Sequence, residues 1–118
     1  MSTPYNIVFV TAPDRKTAED LAEGMVKSKL AACVNAVPGV SSVYWWKGRL
    51  EKAEEVMLVI KTRGALLPEL CEYVRKNHPN AIPEVLSLPI EQGHEPYLDW
   101  VGAHTRFVQP HARRRERA

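Results

Sequence analysis

The sequence predicts one α+β domain of order β-α-β-β-α-β-α, built on an antiparallel sheet with a long central hairpin and an additional C-terminal helix. Three observations carry this reading. The 118 residues suffice for a single core. Two apolar stripes, Ala18-Leu21-Ala22-Met25-Val26 and Leu66-Leu67-Leu70-Cys71-Val74, recur at helical spacing. Between them, two long β-rich arms flank a turn at Lys47-Gly48-Arg49.

Tyr5 to Thr11 reads as a strand, because Ile7, Val8, Phe9 and Val10 run without polar interruption, the pattern of a strand covered on both faces. Pro13 stops it. Asp14 is placed to cap a helix over about 14–29, whose solvent side carries Glu19, Asp20, Glu23, Lys27 and Lys29. Ala32 to Trp46 is rich in β-branched and aromatic residues, and Pro38-Gly39 inside it marks a bulge or an edge. Leu50 to Thr62 is the returning arm. Each arm would reach roughly 40 Å at about 3.3 Å per residue, more than so small a domain covers. The outer half of the hairpin, around Trp45, Trp46 and Leu50, is therefore expected to project or to pack on another chain.

The second helical stripe tolerates Pro68 in its first turn and ends at Asn77-His78-Pro79-Asn80. Val85 to Ile90 is a short strand bracketed by Pro83 and Pro89, an edge signature. Pro96, Tyr97, Leu98, Val101 and Thr105 predict the final helix. Two βαβ-type units around a hairpin form a ferredoxin-like βαββαβ sandwich. Its helices cover one face of the sheet, so strands apolar on both faces call for a partner on the other.

The net charge of +2 is concentrated in the last residues, where Arg113, Arg114, Arg115 and Arg117 face only Glu116. Residues 1–109 form the expected domain, and 110–118 a basic, disordered tail. A nearly neutral body argues against nucleic-acid binding. The Ile7–Val10 run is too short for a signal peptide or a membrane span, which leaves the cytoplasm as the expected compartment. In that reducing setting, Cys33 and Cys71 are expected to stay unbridged and to behave as buried apolar residues.

Several ordered strings then carry a family resemblance: Val10-Thr11-Ala12-Pro13-Asp14, Leu30-Ala31-Ala32-Cys33-Val34-Asn35, Ser42-Val43-Tyr44-Trp45-Trp46-Lys47-Gly48 and Ile60-Lys61-Thr62. His78-Pro79, Pro83-Glu84-Val85 and Tyr97-Leu98-Asp99-Trp100-Val101 complete the set. Over about residues 6–105 the chain resembles the CutA divalent-cation-tolerance proteins. The resemblance implies a ferredoxin-like fold, a tight homotrimer and a link to copper and other divalent cations.

His78 and Glu84 are the candidate metal ligands, since imidazole and carboxylate suit Cu(II) or Zn(II). The competing reading places His78 as a cap of the preceding helix, favourable near its C-terminal carbonyls. Relatives implicated in copper binding carry a cysteine and a second histidine where this chain has Val10 and Asn77. Neither is a useful copper ligand, so any binding is expected to be weak and to sit at subunit boundaries, with no cofactor required. Cys33, Tyr44 and Trp46 are expected to line the same cleft. Glu51, Glu54 and Glu55 read as solvated charge on an exposed hairpin. His94, His104 and His111 read as surface residues. No nucleophile elbow, phosphate-binding glycine loop, Cys-x-x-Cys or His-Glu-x-x-His string is present, so no enzymatic activity is expected. The functional expectation is a trimer involved in divalent-cation tolerance. The alternative is a signalling or scaffold trimer holding a small molecule or peptide between its subunits.

Overall fold

The computed structural model describes residues 2–108, so the basic tail lies outside the described residues. Strand β1 spans Tyr5–Ala12 and helix α1 Arg15–Lys27; strands β2 (Cys33–Trp46) and β3 (Arg49–Arg63) form the long hairpin. A 3₁₀ turn at Gly64–Leu66 runs into α2 (Leu67–Asn77), followed by β4 (Val85–Pro89) and α3 (Glu95–Ala103). The four strands form one antiparallel sheet in the order β2-β3-β1-β4, the ferredoxin-like arrangement.

Local chemistry sets the boundaries. The Thr17 N–H donates to the Asp14 carboxylate at 2.7 Å, capping α1 and holding Asp14 below the usual carboxylate range. The same helix ends at Lys27, short of the expected Lys29, because Lys29 turns into the left-handed region at φ 64°. The Leu30 N–H then donates to Met25 O at 2.9 Å and the Lys29 N–H to Val26 O at 3.1 Å, a Schellman ending with lysine where glycine is usual. At the hairpin tip Lys47 (φ 52°) and Gly48 (φ 76°) form a two-residue turn of the twist that antiparallel strands favour. Arg49 already belongs to β3.

The expected irregularity at Pro38-Gly39 is a bulge with a defined consequence. Val37 opposes Met57, but the next pair is Val40 with Glu55, so β2 carries one residue more than its partner. That extra residue flips the alternation. Cys33, Asn35 and Val37 on the inner half, and Tyr44 and Trp46 on the outer half, all share one face of the sheet.

Val8, Val10 and Ala12 of β1 and Leu58 and Ile60 of β3 are fully buried on the other face. They pack against Ala18, Leu21 and Met25 of α1 and Leu70 and Val74 of α2. The buried Thr62 hydroxyl donates to Leu30 O at 2.6 Å, tying β3 to the end of α1. The opposite alternation carries Ile7, Phe9, Met57 and Val59, half-buried, with Leu86 and Leu88 more than half exposed. Helix α3 covers one end of it, where the Arg63 guanidinium donates to Gly102 O at 2.9 Å. Gly102 also sits directly against the Tyr5 hydroxyl. Among the described residues, a strand covered on both faces is therefore realised only beside α3, and they leave the rest of that apolar face bare.

Candidate functional site

The bare face leads to a cleft along the projecting part of the hairpin. Strand β1 stops at Ala12, opposite Val56, so β3 runs on from Glu55 without β1 beside it. The loop between α2 and β4 comes in there. Tyr44 and Trp46 from β2, Glu55 from β3, and Ile82 and Glu84 from the loop line a cleft of about 330 Å³. Both aromatic rings are roughly 40% exposed and Ile82 is 75% exposed, so the walls are open apolar surfaces with two carboxylates set among them. Lys47 at the hairpin tip holds its ammonium 5.9 Å from the Trp46 ring centroid.

His78 is elsewhere. It lies at the end of α2, 8% exposed, beside a separate cleft of about 420 Å³ bordered by Asp20, Tyr73 and Lys76. Its main-chain N–H closes the helix on Val74 O at 2.8 Å. Its ring Nε2 is 2.7 Å from Thr11 O, and Nδ1 accepts from the Asn80 N–H at 3.1 Å. A carbonyl only accepts, so Nε2 carries the proton and Nδ1 supplies its lone pair to Asn80. Neither nitrogen is left for a cation. The expected pairing of His78 with Glu84 is therefore not formed: the two line different clefts, because the residues between them carry the chain around the end of the sheet. The imidazole does occupy the helix end, but it bonds β1 rather than the carbonyls of α2.

Cys33 also lies outside the aromatic cleft. It starts β2, at the opposite end of the strand from Tyr44, with its sulfur 3.9 Å from Lys61 Nζ. Lys61 is shared with the Asn35 side-chain oxygen. Nearby Tyr97 has its phenol pushed up, first by burial and then by Cys33. Both cysteines are free and half-buried rather than fully buried, and burial pushes the Cys71 thiol up. Val10 is fully buried in the core, while the Asn77 side-chain amide donates to Tyr73 O at 2.8 Å. His94 precedes α3 without a side-chain cap, His104 bonds Trp100 O at 2.9 Å, and His111 lies outside the described residues. Among the described residues, no group of three or more His, Cys, Asp and Glu side chains is gathered closely enough to hold a metal ion.

Glu55, Asn80, Ala81 and Ile82 also line the cleft and escaped the sequence reading. Glu55 reads as one of three solvated glutamates, yet the pairing of Tyr44 with Glu51 puts Glu51, Ala53 and Glu55 on the face of the aromatics. Counting alternate residues back from the turn would have found it. Ile82 carries no such signal, because loop residues have no periodicity.

Compared with known families, residues 6–104 match the model described as CutA1 divalent ion tolerance protein. The chain belongs to this family. It is 52% identical over 102 residues to the Protein CutA homolog of Xenopus laevis, covering 86% of this chain and 68% of that protein. It is 48% identical over 100 residues to Protein CutA of Mus musculus, covering 85% of this chain but spanning only 56% of the mouse protein. The crystal structure of CutA1 from Oryza sativa superposes with a TM-score of 0.87 at 45% identity, over 91% of this chain and 98% of that one. The CutA1 fold therefore extends across the sheet, both covering helices and the cleft. No helix among the described residues is long and apolar enough to cross a membrane.

Proposed function

We propose that this CutA1-family chain acts in divalent-cation tolerance as a homotrimer, holding a divalent cation weakly at the aromatic cleft where subunits meet. One observation carries the proposal. Glu55 and Glu84 share a cleft that opens along the bare apolar sheet face, so a second copy packed on that face would border both carboxylates. Two carboxylates leave most coordination positions to water or to a neighbour, which keeps binding weak. With His78 committed to Thr11 and Asn80, the site loses its imidazole, and with it much of the preference for copper or zinc over harder cations. The two free cysteines accord with action in the reducing cytoplasm.

Sedimentation and calorimetry with Zn(II) and Cu(II) on the full chain test this. A trimer whose weak cation binding falls with Glu84→Gln and survives His78→Ala is the expected result. A mass of one 13.3 kDa chain at micromolar concentration would overturn the assembly. Binding that follows His78 instead of Glu84 would overturn the site. A second reading, a signalling trimer that holds a small molecule in the same cleft, is favoured by Tyr44 and Trp46, whose ring faces offer a good stacking surface.

A further inference from the structure

We propose that the Tyr44–Trp46 cleft recognises a small organic ammonium ion, such as a short aliphatic diamine. The inference rests on the reading of this cleft as the binding site, and names the chemistry of its ligand. The walls divide into two kinds. Glu55 and Glu84 provide negative charge, while Tyr44, Trp46 and Ile82 provide exposed apolar and π surface.

A divalent metal ion uses only the first kind. Its hydration shell gains nothing from isoleucine, and aromatic faces supply no ligand atom to a hard cation. An alkylammonium ion uses both. Its nitrogen forms charge-assisted hydrogen bonds with carboxylates, and its carbons cover Ile82 and the ring faces, where the ring quadrupole also attracts the positive charge. The molecule already contains one such contact, because the Lys47 ammonium stands 5.9 Å from the Trp46 ring centroid. A cleft of about 330 Å³ has room for a ligand of a few carbon atoms. Within one chain Tyr44 and Trp46 each keep roughly 40% of their surface exposed, so part of each ring stays open to a ligand.

Calorimetric titration of the full chain with 1,4-diaminobutane, beside Zn(II) and matched sodium chloride, tests the inference. Saturable diamine binding is expected, reduced about tenfold by Trp46→Leu and at least as much by Glu84→Gln. Trp46→Leu is expected to weaken diamine binding by a larger factor than zinc binding, since zinc takes no ligand atom from the indole. All these side chains are surface-exposed or lie in the cleft wall, and circular dichroism checks the fold; Glu55→Gln serves as the second carboxylate variant. Zinc binding through Glu84 without saturable diamine binding at millimolar concentration sinks this inference and leaves the cation site standing. Absence of both sinks the cleft reading as well. Diamine binding indifferent to Trp46 and Glu84 also overturns it. A blocked lysine that binds more tightly than the free diamine would place the ammonium on a protein partner and overturn the small-molecule assignment.

Discussion

His78 Nε2 and the Thr11 carbonyl meet at 2.7 Å across 67 residues of sequence, fastening the end of α2 to the C-terminal end of β1. Both partners are more than nine-tenths buried, and the Asn80 N–H completes the network on Nδ1. His78→Ala would strand a buried carbonyl and an amide together. Its expected cost is about 2 kcal/mol of stability, measured by urea unfolding. Loss of stability without loss of cleft binding separates an anchor from a ligand. Unchanged stability would show that the hydrogen bonds are replaced by water.

The hairpin tip should respond to backbone changes alone. A Cβ at Gly48 would meet nothing within 4 Å, so its φ of 76° is the only obstacle to a side chain. Gly48→Ala is expected to lower stability by about 1 kcal/mol. Lys47→Asn, which suits the left-handed conformation, should be neutral or slightly stabilising. Thermal unfolding of both variants measures this, and a harmless Gly48→Ala would refute the turn geometry.

Leu86 and Leu88 are 58% and 55% exposed on β4, on the face that α1 and α2 leave bare. If copies pack there, Leu86→Glu or Leu88→Asp should reduce the particle mass in light scattering. Melting temperature should then fall and lose its dependence on concentration. A variant with full assembly and unaltered melting would exclude this face as the contact.

Alkaline pH should weaken the fold. Burial is the main force pushing up the Cys71 thiol and the Tyr73 and Tyr97 phenols. The unfolded chain then loses these protons first. Their contribution is fully present below the ordinary thiol and phenol values of about 8.5 and 10, and drains away as pH rises through the higher folded values. Urea midpoints should fall across that range, and less steeply for Tyr73→Phe. Equal slopes for wild type and Tyr73→Phe would remove Tyr73 from the account.

The order of strands and helices, the Asp14 cap, the bulge at Pro38-Gly39 and the turn at Lys47-Gly48 were all legible in the sequence, because each rests on spacing or backbone preference within a few residues. The family was legible too, from short strings in fixed order. What only the tertiary structure decided was which side chains meet. His78 was chosen as a ligand by residue type, yet its lone pair and proton are consumed by groups brought from β1 and from Asn80. Cys33 and Tyr44 share a strand and even a face, but some eleven residues of extended chain keep them about 35 Å apart along β2. Glu55 joined the aromatics through a cross-strand register that no local pattern states, and Glu84 reached them only because β1 ends at Ala12. Periodicity assigns a residue to a face of its own element. The distance between faces of different elements depends on how the sheet ends, bulges and twists, and that is settled by packing the whole chain at once.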